Sequence, residues 1–106
     1  MTPLATVAER VDCIVAAWVD IRTGAVIAQH AASDDAFIAP ALEAAIEIMR
    51  SAERPPRMVL LSEHHVHIVH RNANDPYRVL VVICRRSPNL GLAVSLVRGL
   101  MEAEAA

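Results

Sequence analysis

The sequence contains few glycines and few aromatic residues. Three glycines and one residue each of Trp, Tyr and Phe occur among 106 residues. A phosphate-binding loop needs closely spaced glycines, and Gly24, Gly91 and Gly99 lie too far apart to form one. We therefore do not expect the chain to hydrolyse nucleotides itself. Because aromatic side chains are scarce, its core must be built from Val, Ile, Leu, Ala and Met.

The chain also lacks a dominant charge and a long apolar run. Ten basic and 12 acidic residues give a formal net charge of −2. The sequence has no basic tract interleaved with aromatic residues, the pattern that is typical of nucleic-acid-binding surfaces. The uncharged runs are shorter than the roughly 20 apolar residues of a membrane span, and the N-terminal residues do not form a secretory signal. We therefore expect a cytoplasmic protein, with neither nucleic acid nor membrane as a partner.

Only two cysteines are present, Cys13 and Cys84. Each lies within an apolar run, which favours buried free thiols over a disulfide in a cytoplasmic chain. No Cys-x-x-Cys pair supplies the spacing of a zinc or redox motif, and no Gly-x-Ser-x-Gly sequence surrounds a serine. The sequence thus predicts a non-enzyme without a cofactor.

Hydrophobic residues make up 55% of the chain, which excludes a disordered tail. The length suffices for a single domain over residues 1–106 with one modest core. The residue pattern predicts eight elements in the order α-β-β-α-β-β-β-α. They are a helix near 3–10, strands 11–20 and 25–30, a central helix near 36–52, strands 58–63, 66–71 and 77–85, and a last helix ending near 102. This order indicates an α+β domain with an antiparallel sheet.

Turn and cap residues separate these elements. Thr23-Gly24 predicts the first hairpin turn, and His64-His65 predicts the tight turn after the third strand. Pro40 is expected in the first turn of the central helix, where its missing N–H costs little. Asn89 is a suitable N-cap for the last helix.

The central helix has an unusually wide apolar surface. At about 100° per residue, its apolar arc spans roughly 200°, whereas a helix on a sheet needs a stripe a little over 100° wide. The large residues of this arc are Ile38, Leu42, Ile46 and Met49, and alanines widen it. Either the alanines remain exposed, as scattered apolar residues often do, or a second copy of the chain covers the excess.

The strand that follows the helix favours the second copy. If this strand lies at the sheet edge, its residues Met58, Val59, Leu60 and Leu61 form an exposed apolar edge, which monomers usually avoid. Two such edges can pair across a two-fold axis and satisfy both backbones. We therefore predict a homodimer whose interface combines these four residues with the four large apolar residues of the central helix.

A narrow polar stripe completes the central helix. It contains Glu43 and Glu47, one helical turn apart, with Arg50 and Arg54 nearby. One interpretation is a solvated charged face. The other is a partner-binding surface, for which these four residues are the candidates.

Four histidines surround the predicted tight turn: His64, His65, His67 and His70. A zinc site needs three or four ligands at about 2.0–2.3 Å, and no second cluster of Cys or Asp completes one here. We therefore predict no metal site and interpret the hairpin as solvated and hydrogen-bonding. A pH-sensitive surface is the alternative, because imidazole titrates near pH 6.5.

Several of these segments resemble the roadblock (dynein light chain roadblock-type) family. They are the turn at residues 20–24, the Ala-rich central helix and the closing VLVVICRRSPNLGLAVSLVRGL, in which Asn89-Leu90-Gly91 starts the last helix. The resemblance covers about residues 11–101. It implies a roadblock/profilin-like fold with a five-stranded sheet in order 2-1-5-4-3, the central helix on one face and the terminal helices on the other. It also implies dimerisation through the central helix and third strand into a ten-stranded sheet.

The resemblance implies a function as well. Bacterial members of the MglB type act with small Ras-like GTPases, and eukaryotic members serve as dynein light chains or scaffolds. We therefore expect a non-catalytic dimeric protein that binds and regulates a small Ras-like GTPase. Arg50, Arg54 and Arg57 are candidates for an inserted arginine finger, although a dimer can instead hold the GTPase switch regions in a competent shape. A small-ligand sensory module of PAS/GAF-like type and a purely structural scaffold are the alternatives.

Overall fold

The computed structural model describes residues 4–11, 13–31, 38–51, 57–72, 74–85 and 90–105. These residues form eight elements in the predicted order. They are α1 (Leu4–Val11), β1 (Val15–Asp20), β2 (Ala25–Ala31), α2 (Ile38–Ser51), β3 (Arg57–Leu61), β4 (His65–Arg71), β5 (Arg78–Arg85) and α3 (Leu90–Ala105).

The five strands form one antiparallel sheet in the order β2-β1-β5-β4-β3, which confirms the predicted order 2-1-5-4-3. β1 and β5 lie side by side at its centre and are buried along most of their length. Their runs of Val, Ile and Ala suit strands that are covered on both faces. β2 and β3 form the two edges of the sheet.

Each face of the sheet buries its own core. On one face, α2 packs over the central strands through Ala45 and the large apolar residues of its inner side. On the other face, Val7 of α1 and Val97 and Met101 of α3 belong to the same buried cluster as Trp18. The central helix therefore lies opposite the terminal helices, as predicted. Trp18, the single Trp of the sequence, is fully buried on the α1–α3 face and is one of the largest side chains of the core.

Several predicted boundaries differ from the structure by two to four residues, and two of these differences have a local cause. β1 begins at Val15 and not at residue 11, because Val11 completes the helical spacing of α1. The tight turn falls at Glu63-His64 and not at His64-His65. The Ser62 N–H donates to the His65 carbonyl at 2.9 Å, and the His65 N–H donates to the Ser62 hydroxyl at 3.1 Å. His65 is therefore already the first residue of β4.

Pro40 lies in the first turn of α2, as expected. The predicted N-cap Asn89 lies outside the described residues. No helix among the described residues is both long and apolar enough to cross a membrane.

Candidate functional site

The outer edge of β3 is open. β3 pairs in regular register with β4 on its inner side, and no strand of the described residues pairs with its outer side. Ser62 and His65 form a hydrogen-bonded pair next to the turn. Since such pairs alternate along an antiparallel ladder, the N–H and C=O groups of Arg57, Val59 and Leu61 point outward from the sheet.

The side chains of β3 alternate between the two faces. Met58 packs against the α2-side core and Leu60 is half-buried. Val59 and Leu61 lie on the opposite side of the strand, where 40% and 57% of their surfaces are exposed. The sequence thus predicted the position and apolar character of this edge, and alternation explains why only half of its apolar residues are well exposed.

The expectation for the four large apolar residues of α2 needs correction. Ile38, Leu42, Ile46 and Met49 all belong to the core under α2 and are between 1% and 6% exposed in a single chain. Burial against the sheet already covers them, so they offer almost no surface to a second copy.

The excess of the apolar arc lies beside these core residues. Ala41 is half-buried, Ala44 is exposed, and Ile48 is 37% exposed. These three residues are three or four positions apart, so they share one flank of the helix. This flank of α2 and the outer edge of β3 are therefore exposed apolar surfaces of the single chain. Both adjoin residues that were predicted to form the dimer interface.

The polar stripe of α2 faces solvent. Glu43 and Glu47 are both exposed. Two contacts hold the Arg50 side chain in place. Its Nε donates to the Ile21 carbonyl at 2.8 Å, and its guanidinium lies 3.4 Å from a Glu47 carboxylate oxygen. An arginine finger needs a mobile side chain, so Arg50 fits the role of a brace between α2 and the β1–β2 turn better. Arg54, the fourth predicted residue, lies outside the described residues.

The histidines are spread over the hairpin and both sheet faces. His64 lies in the turn beside Glu63, with 3.8 Å between its Nε2 and a carboxylate oxygen. His65 and His67 alternate with Val66, Ile68 and His70, so the first two face α2 and His70 faces α3. Within the described part of the chain, no group of three His, Cys, Asp or Glu side chains could hold a metal ion.

Two of these imidazoles have shifted pKa values. Burial lowers the pKa of His67, and the nearby His65 lowers it further. Burial also lowers the pKa of His70. A hydrogen bond to the Arg71 carbonyl and the charge of Glu102 oppose this shift, and Arg57 adds to it. Both pKa values therefore lie below the ordinary imidazole value of about 6.5.

One feature was not predicted. A cavity of about 240 Å³ lies between α3 and the β3–β4 hairpin, and Arg57, His70 and Arg98 are among the residues that line it. These residues are far apart in the sequence and come from three elements. Their proximity depends on how α3 packs on the sheet, and no local motif signals it.

Both cysteines are buried in the core on the α1–α3 face and form no disulfide. This agrees with the prediction of buried thiols, which was based on the apolar runs around both cysteines. The sulfurs therefore act as part of the packing.

Comparisons with known proteins agree on the fold. No protein-family model matches the sequence, and no curated protein matches it. The structure is similar to that of Myxococcus xanthus MglB, with a TM-score of 0.76 and 13% identity over 94% of this chain and 86% of that one. A gliding protein MglB from Thermus thermophilus gives a TM-score of 0.74 and 18% identity over 96% and 82%. A Roadblock/LC7 domain from Streptomyces avermitilis gives 0.60 and 14% over 93% and 94%. The chain therefore has the roadblock fold.

Proposed function

We propose that this chain is a non-catalytic dimeric protein that binds and regulates a small Ras-like GTPase. The observation that carries the proposal is the open apolar edge of β3 on a fold shared with MglB. The assignment of a GTPase as the partner rests on the resemblance of the sequence to MglB-type roadblock proteins.

The backbone of β3 supports dimerisation. Its outward N–H and C=O groups at Arg57, Val59 and Leu61 can pair with the same groups of a second copy, since a two-fold axis brings identical edges together. Pairing would join two five-stranded sheets into one of ten strands. It would also bring the two copies of the α2 flank, with Ala44 and Ile48, close to one another.

The opposite edge is less suited to this pairing. β2 also exposes apolar residues, with Val26 44% and Ile27 50% exposed. Its ladder with β1, however, is interrupted by an irregularity between Trp18 and Val19. Bulges twist an edge and hinder strand addition. β3, which has a regular register, is therefore the better dimer edge.

The GTPase surface is proposed to lie on the polar stripe of α2. Glu43 and Glu47 are exposed one helical turn apart, and Arg50 and Arg54 complete the predicted set. Two exposed carboxylates without an adjacent buried base favour electrostatic recognition over chemistry. We expect the carboxylates of Glu43 and Glu47 to contact a basic patch on the surface of the GTPase.

A binding and hydrolysis assay tests the GTPase part. A small Ras-like GTPase encoded in the same genome is loaded with GDP or with a non-hydrolysable GTP analogue and titrated with the protein. We expect binding that depends on the nucleotide, together with a change in the rate of GTP hydrolysis. Binding without any change in hydrolysis would favour the scaffold alternative. No binding in either nucleotide state would count against both.

Mass measurement by light scattering tests the dimer. The monomer has a mass of 11.5 kDa, and we expect twice this mass at micromolar concentration. Leu61→Lys places a charge on the β3 edge and should shift the mass to that of a monomer. Leu92→Lys is the matched control, because Leu92 is 61% exposed at the start of α3, close to the 57% of Leu61. It should leave the dimer intact. A monomeric wild-type protein would refute the edge pairing.

A further inference from the structure

The cavity between α3 and the β3–β4 hairpin has apolar walls. Val59 contributes from β3, Ile68 from β4 and Val94 from α3. Met58 also borders the cavity, but its side chain packs against the α2-side core. Ile68 is buried in the core on this face, and Val94 packs against the same core. The cavity therefore adjoins the apolar interior on the α1–α3 face of the sheet.

Three basic side chains complete the lining. Arg57 and His70 are directly opposite one another on β3 and β4, and Arg98 reaches the cavity from α3. Opposite residues of this kind have their side chains on the same face of the sheet. The lining contains no Asp or Glu. Glu102, one helical turn after Arg98 on α3, is the acidic group that acts on His70.

The two arginines are available for a ligand. Within the described part of the chain, neither the Arg57 nor the Arg98 side chain forms a hydrogen bond or an ion pair. Both are exposed at the rim of the cavity. A guanidinium presents a planar fork of donors that fits a carboxylate. His70 is already oriented, because its Nδ1 lies 3.1 Å from the Arg71 carbonyl oxygen.

We propose that this cavity binds a small carboxylate with an apolar body, such as a medium-chain aliphatic acid. The apolar walls bury the body, and the two guanidiniums at the rim hold the carboxylate. The volume of about 240 Å³ equals roughly eight water molecules at about 30 Å³ each. This is the size of an acid with about eight to ten non-hydrogen atoms. The proposal goes beyond GTPase regulation and does not depend on it.

Octanoate is a suitable probe for calorimetry with the full chain. Acetate carries the same charge without the body, and 1-octanol carries the same body without the charge. We expect octanoate to bind at least tenfold more tightly than either. Equal binding of acetate would overturn the proposal in favour of simple anion attraction. Equal binding of 1-octanol would overturn it in favour of a purely apolar void.

Two arginine variants locate the site. Arg98→Gln removes one of the rim charges and should weaken octanoate binding by about tenfold. Arg85→Gln is the control, because Arg85 is exposed at the end of β5 and does not line the cavity. Amide shifts in nitrogen–proton correlation spectra should concentrate at Ile68, His70 and Val94. No binding of octanoate at millimolar concentration, or shifts confined to other elements, would refute the site. Neither result would alter the outcome of the GTPase assay.

Discussion

Gly24 closes the β1–β2 turn beneath the end of α2. Its φ of +77° lies in the left-handed region, and its N–H donates to the Asp20 carbonyl at 2.8 Å. A side chain added there would meet Arg50 only at 3.6 Å, which is ordinary contact. The requirement for glycine is therefore set by the backbone and not by space.

Gly24→Ala is expected to lower the free energy of unfolding by about 1 kcal/mol, because Ala is strained at positive φ. Gly99→Ala is the matched control within α3, where an added side chain meets nothing within 4 Å. It should raise the free energy of unfolding by about 0.5–1 kcal/mol through helix propensity. Urea denaturation measures both. Equal effects of the two variants would contradict the assignment.

His67 and His70 make stability depend on pH. Burial lowers the pKa of both residues below the value of about 6.5 expected in the unfolded chain. The unfolded state then binds more protons as the pH falls through 6.5, so the free energy of unfolding should decrease between pH 7 and the folded pKa. His70→Asn should make this decrease smaller. An imidazole proton titration by NMR that gave a midpoint above 6.5 for His70 would contradict the prediction.

At the scale of elements, much of the fold could be predicted from the sequence. The element order and the bounds of α2 to within two residues followed from periodicity and from Pro40. The strand order followed from the resemblance to the roadblock family. The predicted boundary between α1 and β1 was wrong because a helical and a strand-like pattern overlap there. Val11 fits both a helical spacing and an apolar strand, so periodicity alone does not decide between them.

The orientation of α2 could be predicted only in part. The width of its apolar arc correctly indicated that one side would remain uncovered, but the arc alone does not say which residues face the sheet. Packing does, because a core fills best with large side chains. Leu42 and Met49 therefore face inward, whereas Ala44 and Ile48 remain at the margin. The cavity could not be predicted, since it depends on how α3 rests on β3 and β4.

Truncation of α2 residues separates core from interface. Leu42→Ala is expected to lower the free energy of unfolding by about 2–5 kcal/mol, because Leu42 is 2% exposed. Ile48→Ala should cost less than about 1 kcal/mol in the isolated chain, since Ile48 is 37% exposed, but should raise the dissociation constant of the dimer. Thermal unfolding and sedimentation measure the two quantities. A large loss of stability in Ile48→Ala that is independent of protein concentration would assign this residue to the core.

The whole molecule presents two different faces on either side of one sheet. One carries α2 with Glu43 and Glu47, and the other carries α1, α3 and the cavity. Edge pairing through β3 would use backbone groups in the plane of the sheet and bring the α2 flanks together, while the polar stripe on the other side of α2 would remain exposed. A dimer of this kind can therefore present two copies of the polar stripe of α2 to a partner on the same face of the sheet.

This arrangement predicts that charge reversal acts on one face only. Glu43→Lys combined with Glu47→Lys should weaken binding to the GTPase about tenfold at low ionic strength, mainly through a slower association rate. The matched control combines Glu9→Lys with Glu102→Lys, which are exposed on α1 and α3 and change the net charge by the same amount. The control should bind normally, and both double variants should keep the mass of the dimer. Equal losses of binding would mean that net charge and not the α2 face governs recognition, and this would move the partner surface away from Glu43 and Glu47.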